Sequence, residues 1–279
     1  MTDHIRFKEH YEKTRATLEG KDLVIYCAEH CFCPEEALLM QGDNIFDAAV
    51  ISDRLVQIRV HKDYTKPVPM TLTMKDGVIR PIENPNSKLL IVEPPQLDEE
   101  TGQPYKDLYV AGIDAIDMGS QVSAQDNDVS DFCIVILKRM MGLQEPQIVA
   151  VYKDRPGDER EAFKIAIRLC QYYNARINIE ATRKSFYTWA KDKGYGGMFV
   201  RRPKATMNSD LSRTLSNQIG TPATKQIIEQ HTSLTANFVE DHCHTIWFEE
   251  ILQELMSYND ENKTKFDIVA SLGMVFLLD

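Results

Sequence analysis

The sequence lacks the features of a membrane or secreted protein. No apolar run approaches the roughly 20 residues that span a bilayer, and the charged N-terminus, MTDHIRFKEHYEKTR, contains no apolar signal core. The six cysteines do not show the paired spacing of a zinc site, because CAEHCFC (27–33) has no matching pair downstream. These absences predict a soluble, cytoplasmic protein with reduced thiols and no membrane partner.

The sequence also lacks a phosphate-binding loop of the GxxxxGK[ST] type. Its only Gly-Lys pair, Gly20-Lys21, is followed by Asp22, whereas the loop requires a serine or threonine there to contact Mg²⁺. We therefore expect this chain not to hydrolyse ATP by that route.

Basic charge is scarce overall but concentrated in one stretch. The formal net charge is −10, which by itself argues against phosphate binding. Residues 176–204, however, contain eight basic and two acidic residues, a net charge of +6. This stretch predicts either a basic face that binds nucleic acid or a solvated helix surface with two basic turns. The residues that we expect to contact DNA phosphates are Arg183, Lys184, Arg201, Arg202 and Lys204.

The pattern of apolar residues predicts an α/β protein with a mixed sheet. Three apolar segments, 108–116, 131–140 and 146–154, follow one another without an intervening helix, so we expect an antiparallel meander. Apolar residues at helical spacing predict an amphipathic helix over 158–174, and 175–181 reads as a fourth strand. The other predicted helices lie at 1–20, within 33–58, at 184–194, and near 221–232, 245–258 and 264–278.

Two upstream segments have the composition of strands. Residues 70–82 and 88–95 are rich in β-formers and are separated by a turn, which predicts an antiparallel hairpin. Residues 22–31 begin with a short strand-like apolar run.

Three carboxylates end apolar elements that lie far apart in sequence. Asp114 and Glu180 end apolar strands, and Asp267 begins an apolar final helix. A carboxylate in apolar surroundings is costly to desolvate unless it is paired or binds a cation. Oxygen ligands suit Mg²⁺ and Mn²⁺, so we expect these acids to bind two divalent cations, with Asp117 and Asp131 as further ligands. Glu249, Glu250 and Glu254, by contrast, are expected on the solvated face of an amphipathic helix.

At these positions the chain resembles the nuclease domain of tailed-phage large terminases. The motifs that carry the resemblance are YVAGIDAIDMG (109–119), DFCIVIL (131–137), YYNARINIEATR (172–183), YGGMFVRRP (195–203) and FDIVASLGM (266–274). Upstream, CPEEALLMQGDNIFD (33–47) is similar to the segment that ends the ATPase domain of that family. The family often has paired acids at the last motif, whereas Phe266 precedes Asp267 here.

The resemblance implies a fold, an activity and partners. The fold is a ribonuclease-H-like mixed sheet, with three antiparallel strands plus further strands, flanked by helices. The implied activity is two-metal-ion cleavage of concatemeric viral double-stranded DNA in the host cell cytoplasm, with Asp114, Glu180 and Asp267 as the expected catalytic metal ligands. The partners are the viral portal protein and the small terminase subunit. Residues 1–60 would be a linker following an absent ATPase domain, and 61–279 the nuclease domain with its N-terminal hairpin.

Two other hypotheses are compatible with the same acids. A nuclease of the Holliday-junction-resolvase type would share the fold and the three carboxylates, and would prefer four-way junctions to linear duplex. A module that docks on the portal or the small terminase would carry the acids for structural reasons and have no metal-dependent activity.

Overall fold

The computed structural model describes residues 4–18, 20–32, 44–60, 66–115, 131–207, 217–259 and 266–278. Its helices are α1 (His4–Arg15), α2 (Gly20–Glu29), α3 (Ala48–Val60), α4 (Glu159–Tyr173), α5 (Lys184–Asp192), α6 (Lys225–His242), α7 (Glu249–Ser257) and α8 (Asp267–Phe276). Its strands are β1 (Val68–Lys75), β2 (Val78–Glu83), β3 (Leu89–Ile91), β4 (Tyr109–Asp114), β5 (Phe132–Lys138), β6 (Gln147–Asp154) and β7 (Arg176–Ile179).

The seven strands form one mixed sheet in the order β2-β1-β3-β6-β5-β4-β7. Strands β4, β5 and β6 form the predicted antiparallel meander, and β7 lies parallel to β4. Every residue of β5 is buried, because helices cover both faces of the sheet, and this explains why the central strands read as continuous apolar runs. The predicted α/β class, with a mixed sheet flanked by helices, is confirmed.

The sheet separates two apolar clusters. On one face α4 and α5 pack on the meander, with Phe132, Phe163 and Phe186 in the buried cluster. On the other face α3, α7 and α8 enclose a second cluster, and α3 packs against α7. The boundary at residue 60 stays a prediction, but α3 contributes to this core. None of the described helices is both long enough and apolar enough to cross a membrane.

The N-terminal part of the sheet differs from the prediction in its strand pairing. The segment 70–82 contains two strands, β1 and β2, joined by a turn at Asp76 and Gly77, whose φ angles are 53° and 76°. Two positive φ values match the tight hairpin turn that an Asp-Gly pair favours. Strand β3 then pairs antiparallel with β1 from the other side. The strand-like run in 22–31 is helical and belongs to α2.

Candidate metal centre

The topology brings two of the three predicted acids together at the C-terminal ends of two neighbouring strands. Strands β4 and β7 are parallel, and Ile113 pairs with Ile179 at the end of the register. Asp114 is the last residue of β4 and Glu180 directly follows β7, so the two acids lie next to each other. The Thr182 hydroxyl donates a hydrogen bond to the Glu180 carboxylate.

The third acid, Asp267, lies near the same strand ends because α8 packs directly against β4. A Cβ atom at Gly112 would stand 2.1 Å from the Ser271 carbonyl oxygen and 2.6 Å from the Val275 backbone nitrogen, so only glycine permits the contact. Ser271 Oγ accepts from the Asp114 backbone N–H at 3.1 Å and donates to the Cys133 carbonyl at 3.2 Å. These contacts fix the N-terminal part of α8, which begins at the third acid, over the ends of β4 and β5.

Asp114 lies in a cavity of roughly 190 Å³ that Glu180, Arg183 and His231 also line. Burial raises the pKa of Asp114 to about 8, and the negative charges of Asp267 and Glu180 add to the shift, while Arg183 opposes it. The three acids therefore interact electrostatically, although they come from elements far apart in sequence. A group with this pKa is stabilised either by a proton or by a cation.

Asp267 is buried at the first turn of α8, with 4% of its surface exposed. Its Oδ2 accepts from the Asp131 backbone N–H at 3.1 Å and lies 3.3 Å from Lys153 Nζ. Its Oδ1 is buried and has no hydrogen-bond partner in the part of the chain that the structure describes. Burial raises the pKa of Asp267, and the charge of Lys153 opposes that shift. A buried carboxylate oxygen of this kind, close to the negative charge of Asp114, fits a cation ligand.

The described acids do not form a closed cage around a cation. Among the described residues, no three His, Cys, Asp or Glu side chains are grouped closely enough to hold a metal ion. Asp117, one of the predicted ligands, lies outside the described residues. Mg²⁺ commonly retains several waters and takes only one or two carboxylates, so an open set of Asp114, Glu180, Asp267 and the nearby Asp131 is compatible with its coordination.

Glu254 occupies a different environment from the one expected. Its side chain is 10% exposed, and Oε2 lies 2.8 Å from Lys153 Nζ. Its Oε1 accepts from the backbone N–H groups of Ile268 at 2.6 Å and Val269 at 3.0 Å, so Glu254 caps the N-terminus of α8. The expectation of a solvated Glu254 is wrong. The spacing contained a signal for this, because Glu254 follows the buried Ile251 by three residues and so lies on the same side of α7.

The predicted DNA-binding residues occupy different environments. Arg183 lines both the acidic cavity and a neighbouring cavity of roughly 310 Å³, which Lys184 also lines. Arg201 is exposed and donates to Asn217 Oδ1 at 3.0 Å, and Lys204 is exposed. The Arg202 guanidinium donates hydrogen bonds to the Thr206 carbonyl at 2.9 Å and to the Thr206 hydroxyl at 3.2 Å. These bonds stabilise the segment between residues 202 and 206.

We expect Mn²⁺ binding to strengthen with pH. The pKa of Asp114 is about 8, so its carboxyl is protonated at pH 6, whereas a metal ligand must be ionised. Affinity should rise about tenfold per pH unit from pH 6 to 8, with release of about one proton, and then level off. Calorimetry in two buffers of different ionisation enthalpy measures that proton. Constant affinity over this pH range would contradict the assignment of Asp114 as a ligand.

The structure thus brings Asp114, Glu180 and Asp267 to one end of the sheet, with Asp131 and Arg183 beside them. Sequence reasoning missed Lys153 and Glu254, which contact Asp267 or its helix. Comparison with known protein families and with curated proteins finds no family model and no protein that matches this chain.

Proposed function

We propose that this chain is a divalent-metal-dependent DNA endonuclease, the nuclease part of a viral large terminase that cuts concatemeric double-stranded DNA during genome packaging. The observation that carries the proposal is the convergence of three carboxylates at the ends of β4 and β7 and at the start of α8; one of them has a buried oxygen with no hydrogen-bond partner among the described residues. Convergence of this kind costs stability through charge repulsion and desolvation unless the acids serve a cation.

The topology supports a ribonuclease-H-like fold for this nuclease. Such a fold consists of three hairpin-linked strands, then a helix, a fourth strand and further helices. From residue 109 onwards the chain has the same order: β4, β5 and β6, then α4, then β7, then α5 to α8. The acids lie at the end of the first and the fourth of these strands and at the start of the last helix. The motifs of the resemblance that contain Asp114, Glu180 and Asp267 fall on β4, on β7 and the residues after it, and on α8, which supports the link between the resemblance and the site.

The residues proposed to hold two divalent cations are Asp114, Glu180 and Asp267, with Asp131 and Asp117 as supplementary ligands. When bound, Mg²⁺ or Mn²⁺ would supply the positive charge that activates a water molecule and stabilises the leaving oxygen of a phosphodiester. Arg183, which lines the same cavity, would bind a DNA phosphate and orient the backbone over the acids. The proposed partners beyond DNA remain the portal protein and the small terminase subunit.

The cleavage activity can be tested with supercoiled plasmid. We expect the purified chain to convert it to nicked and linear forms with Mn²⁺ or Mg²⁺ and not with EDTA. A four-way junction offered beside linear duplex tests the resolvase alternative, for which the junction would be strongly preferred. A folded protein that neither cuts DNA nor binds Mn²⁺ would contradict the proposal and favour a docking module.

Arg183→Gln should weaken DNA binding and reduce its dependence on salt. Loss of one phosphate contact should lower the slope of log affinity against log salt by about 1. Fluorescence anisotropy with a short duplex in EDTA, at several salt concentrations, measures both quantities. Arg80→Gln is the matched control, because Arg80 is exposed on β2 at the opposite edge of the sheet. Equal slopes for the two variants would remove Arg183 from the DNA interface.

A further inference from the structure

Lys153 and Asp114 lie in register on the same face of the sheet. Cys133 of β5 pairs with Asp114 on one side and with Lys153 of β6 on the other. Directly paired residues of neighbouring strands project to the same face, which here is the face covered by α8. The Lys153 side chain therefore lies on the same face of the sheet as Asp114, one strand beyond Cys133.

The ammonium of Lys153 is shared unequally between two carboxylates. Lys153 Nζ lies 2.8 Å from Glu254 Oε2 and 3.3 Å from Asp267 Oδ2. Glu254 is itself held in place, because its other oxygen accepts from the Ile268 and Val269 backbone N–H groups at the start of α8. The shorter ion pair is therefore with a carboxylate whose position is fixed by the helix.

The two oxygens of Asp267 have different surroundings. Oδ2 is fixed by the Asp131 N–H and by Lys153, whereas Oδ1 is buried and accepts no hydrogen bond from any described residue. Fixing one oxygen of a carboxylate restricts the rotation of the group and so determines where the other oxygen points. Catalytic ligands commonly owe their orientation to neighbouring groups of this kind.

We propose that Lys153 and Glu254 are positioning residues for the cation site: Glu254 draws the Lys153 ammonium towards itself, and the pair holds Asp267 with Oδ1 available to a cation. This inference rests on the proposed metal-dependent function. It adds that the negative charge of Glu254 and the positive charge of Lys153 act in opposite directions. Removing one or the other should therefore have opposite effects on cation affinity.

The opposite effects follow from the charges. Glu254→Gln removes a negative charge and leaves Asp267 as the one carboxylate among the described residues that is bound to Lys153, so the ammonium competes with the cation. Lys153→Met removes the competing positive charge. At distances of several ångströms in a partly buried site, a unit charge changes cation affinity by roughly tenfold. We expect Mn²⁺ affinity at pH 8 to fall about tenfold in Glu254→Gln and to rise about tenfold in Lys153→Met.

Cleavage should respond differently from affinity. In Lys153→Met, Asp267 loses one of the two contacts that fix its Oδ2, so single-turnover cleavage at saturating Mn²⁺ should fall by roughly tenfold or more. Lys153→Met would therefore bind Mn²⁺ more tightly and cut DNA more slowly. A purely structural ion pair would lower the thermal midpoint without this separation of affinity from rate.

The experiment measures Mn²⁺ binding by calorimetry, cleavage, and thermal midpoint for wild type, Glu254→Gln, Lys153→Met and the double variant. Lys138→Met is the matched control: Lys138 lies on the neighbouring strand β5 and forms an ion pair with Glu93 at 2.8 Å. Its loss should lower stability and leave Mn²⁺ affinity within about twofold of wild type. The double variant, in which both charges are removed, should return towards wild-type affinity.

Each outcome decides between the two proposals. If wild type binds Mn²⁺ and cuts DNA but Glu254→Gln binds Mn²⁺ as wild type does, the positioning role is wrong and the nuclease proposal stands. If wild type binds no Mn²⁺, the proposed function itself fails. Glu254→Gln keeps an oxygen that can accept from the start of α8, so it suffices for this decision even if Lys153→Met does not fold.

Discussion

Asp114→Asn is expected to abolish Mn²⁺-dependent DNA cleavage and, at the same time, to stabilise the metal-free protein at pH 8. Cleavage should fall by a factor on the order of 10³ or more, because the cation loses a ligand on which its position depends. Stability should rise because a neutral amide replaces a desolvated carboxyl that is partly ionised at pH 8. Few surface or core substitutions produce this combination.

The direction of the stability change follows from the pKa of Asp114. Its ordinary value is 3.8 and its value in the folded chain is about 8. The stability associated with the protonated carboxyl is fully present below pH 3.8 and is lost as pH rises through 8. Asparagine removes this loss, so the gain at pH 8 should be on the order of 2 kcal/mol, or about 5 °C in thermal midpoint for a chain of this size.

Thermal midpoints in EDTA at pH 5 and pH 8 measure this effect, and the difference between the variant and wild type should be larger at pH 8. Addition of Mn²⁺ should raise the midpoint of wild type far more than that of Asp114→Asn. Asp241→Asn, at an exposed position of α6, controls for the loss of one surface charge. A variant that is destabilised at both pH values and still responds to Mn²⁺ would contradict the ligand assignment.

Gly112→Ala is expected to be strongly destabilising, although it adds only one methyl group. That carbon would stand 2.1 Å from the Ser271 carbonyl oxygen and 2.6 Å from the Val275 nitrogen. Both are backbone atoms of α8, so the whole helix must move away from β4. The cost should be about 3 kcal/mol, which lowers the urea midpoint by about 1 M for a chain of this size. Mn²⁺ affinity should fall as well, because Asp267 moves with α8.

Gly157→Ala is the matched control for that substitution. A Cβ atom at Gly157 meets nothing within 4 Å and its φ is not in the left-handed region, so the urea midpoint should be unchanged or slightly higher. Equal midpoints for Gly112→Ala and Gly157→Ala would show that α8 does not pack on β4 as described.

The sequence predicted the central elements well because their patterns are strong. Helix α4 has an amphipathic pattern between Asp158, whose side chain accepts from Arg160 N–H, and Asn174, which takes the left-handed conformation. The meander was predictable from three apolar segments with no helix between them. The order of strands across the sheet, and the position of β7 beside β4, depend on long-range pairing that no local pattern specifies.

The errors have physical causes as well. The Asp76-Gly77 turn was missed because 70–82 was treated as one strand, although an Asp-Gly pair is a strong hairpin signal. In α2 the apolar run was interpreted as a strand, since a short apolar run fits a strand and a helix equally well.

The sequence singled out the acids of the candidate site but not the residues that surround them. Acids in apolar surroundings stand out in a sequence, because their desolvation has to be offset. Lys153 and Glu254 lie 101 residues apart, and their contact depends on the approach of α7 and α8 to β6. The packing that requires glycine at position 112 likewise exists only once α8 has docked.

The most direct test of the account is anomalous diffraction from crystals of the protein grown or soaked with Mn²⁺. We predict a peak where β4 and β7 end side by side, within about 2.6 Å of carboxylate oxygens of Asp114 and Asp267, with Oδ1 as the Asp267 ligand. A peak elsewhere, or none at that position at millimolar Mn²⁺ and pH 8, would contradict the central claim that these acids form a cation site.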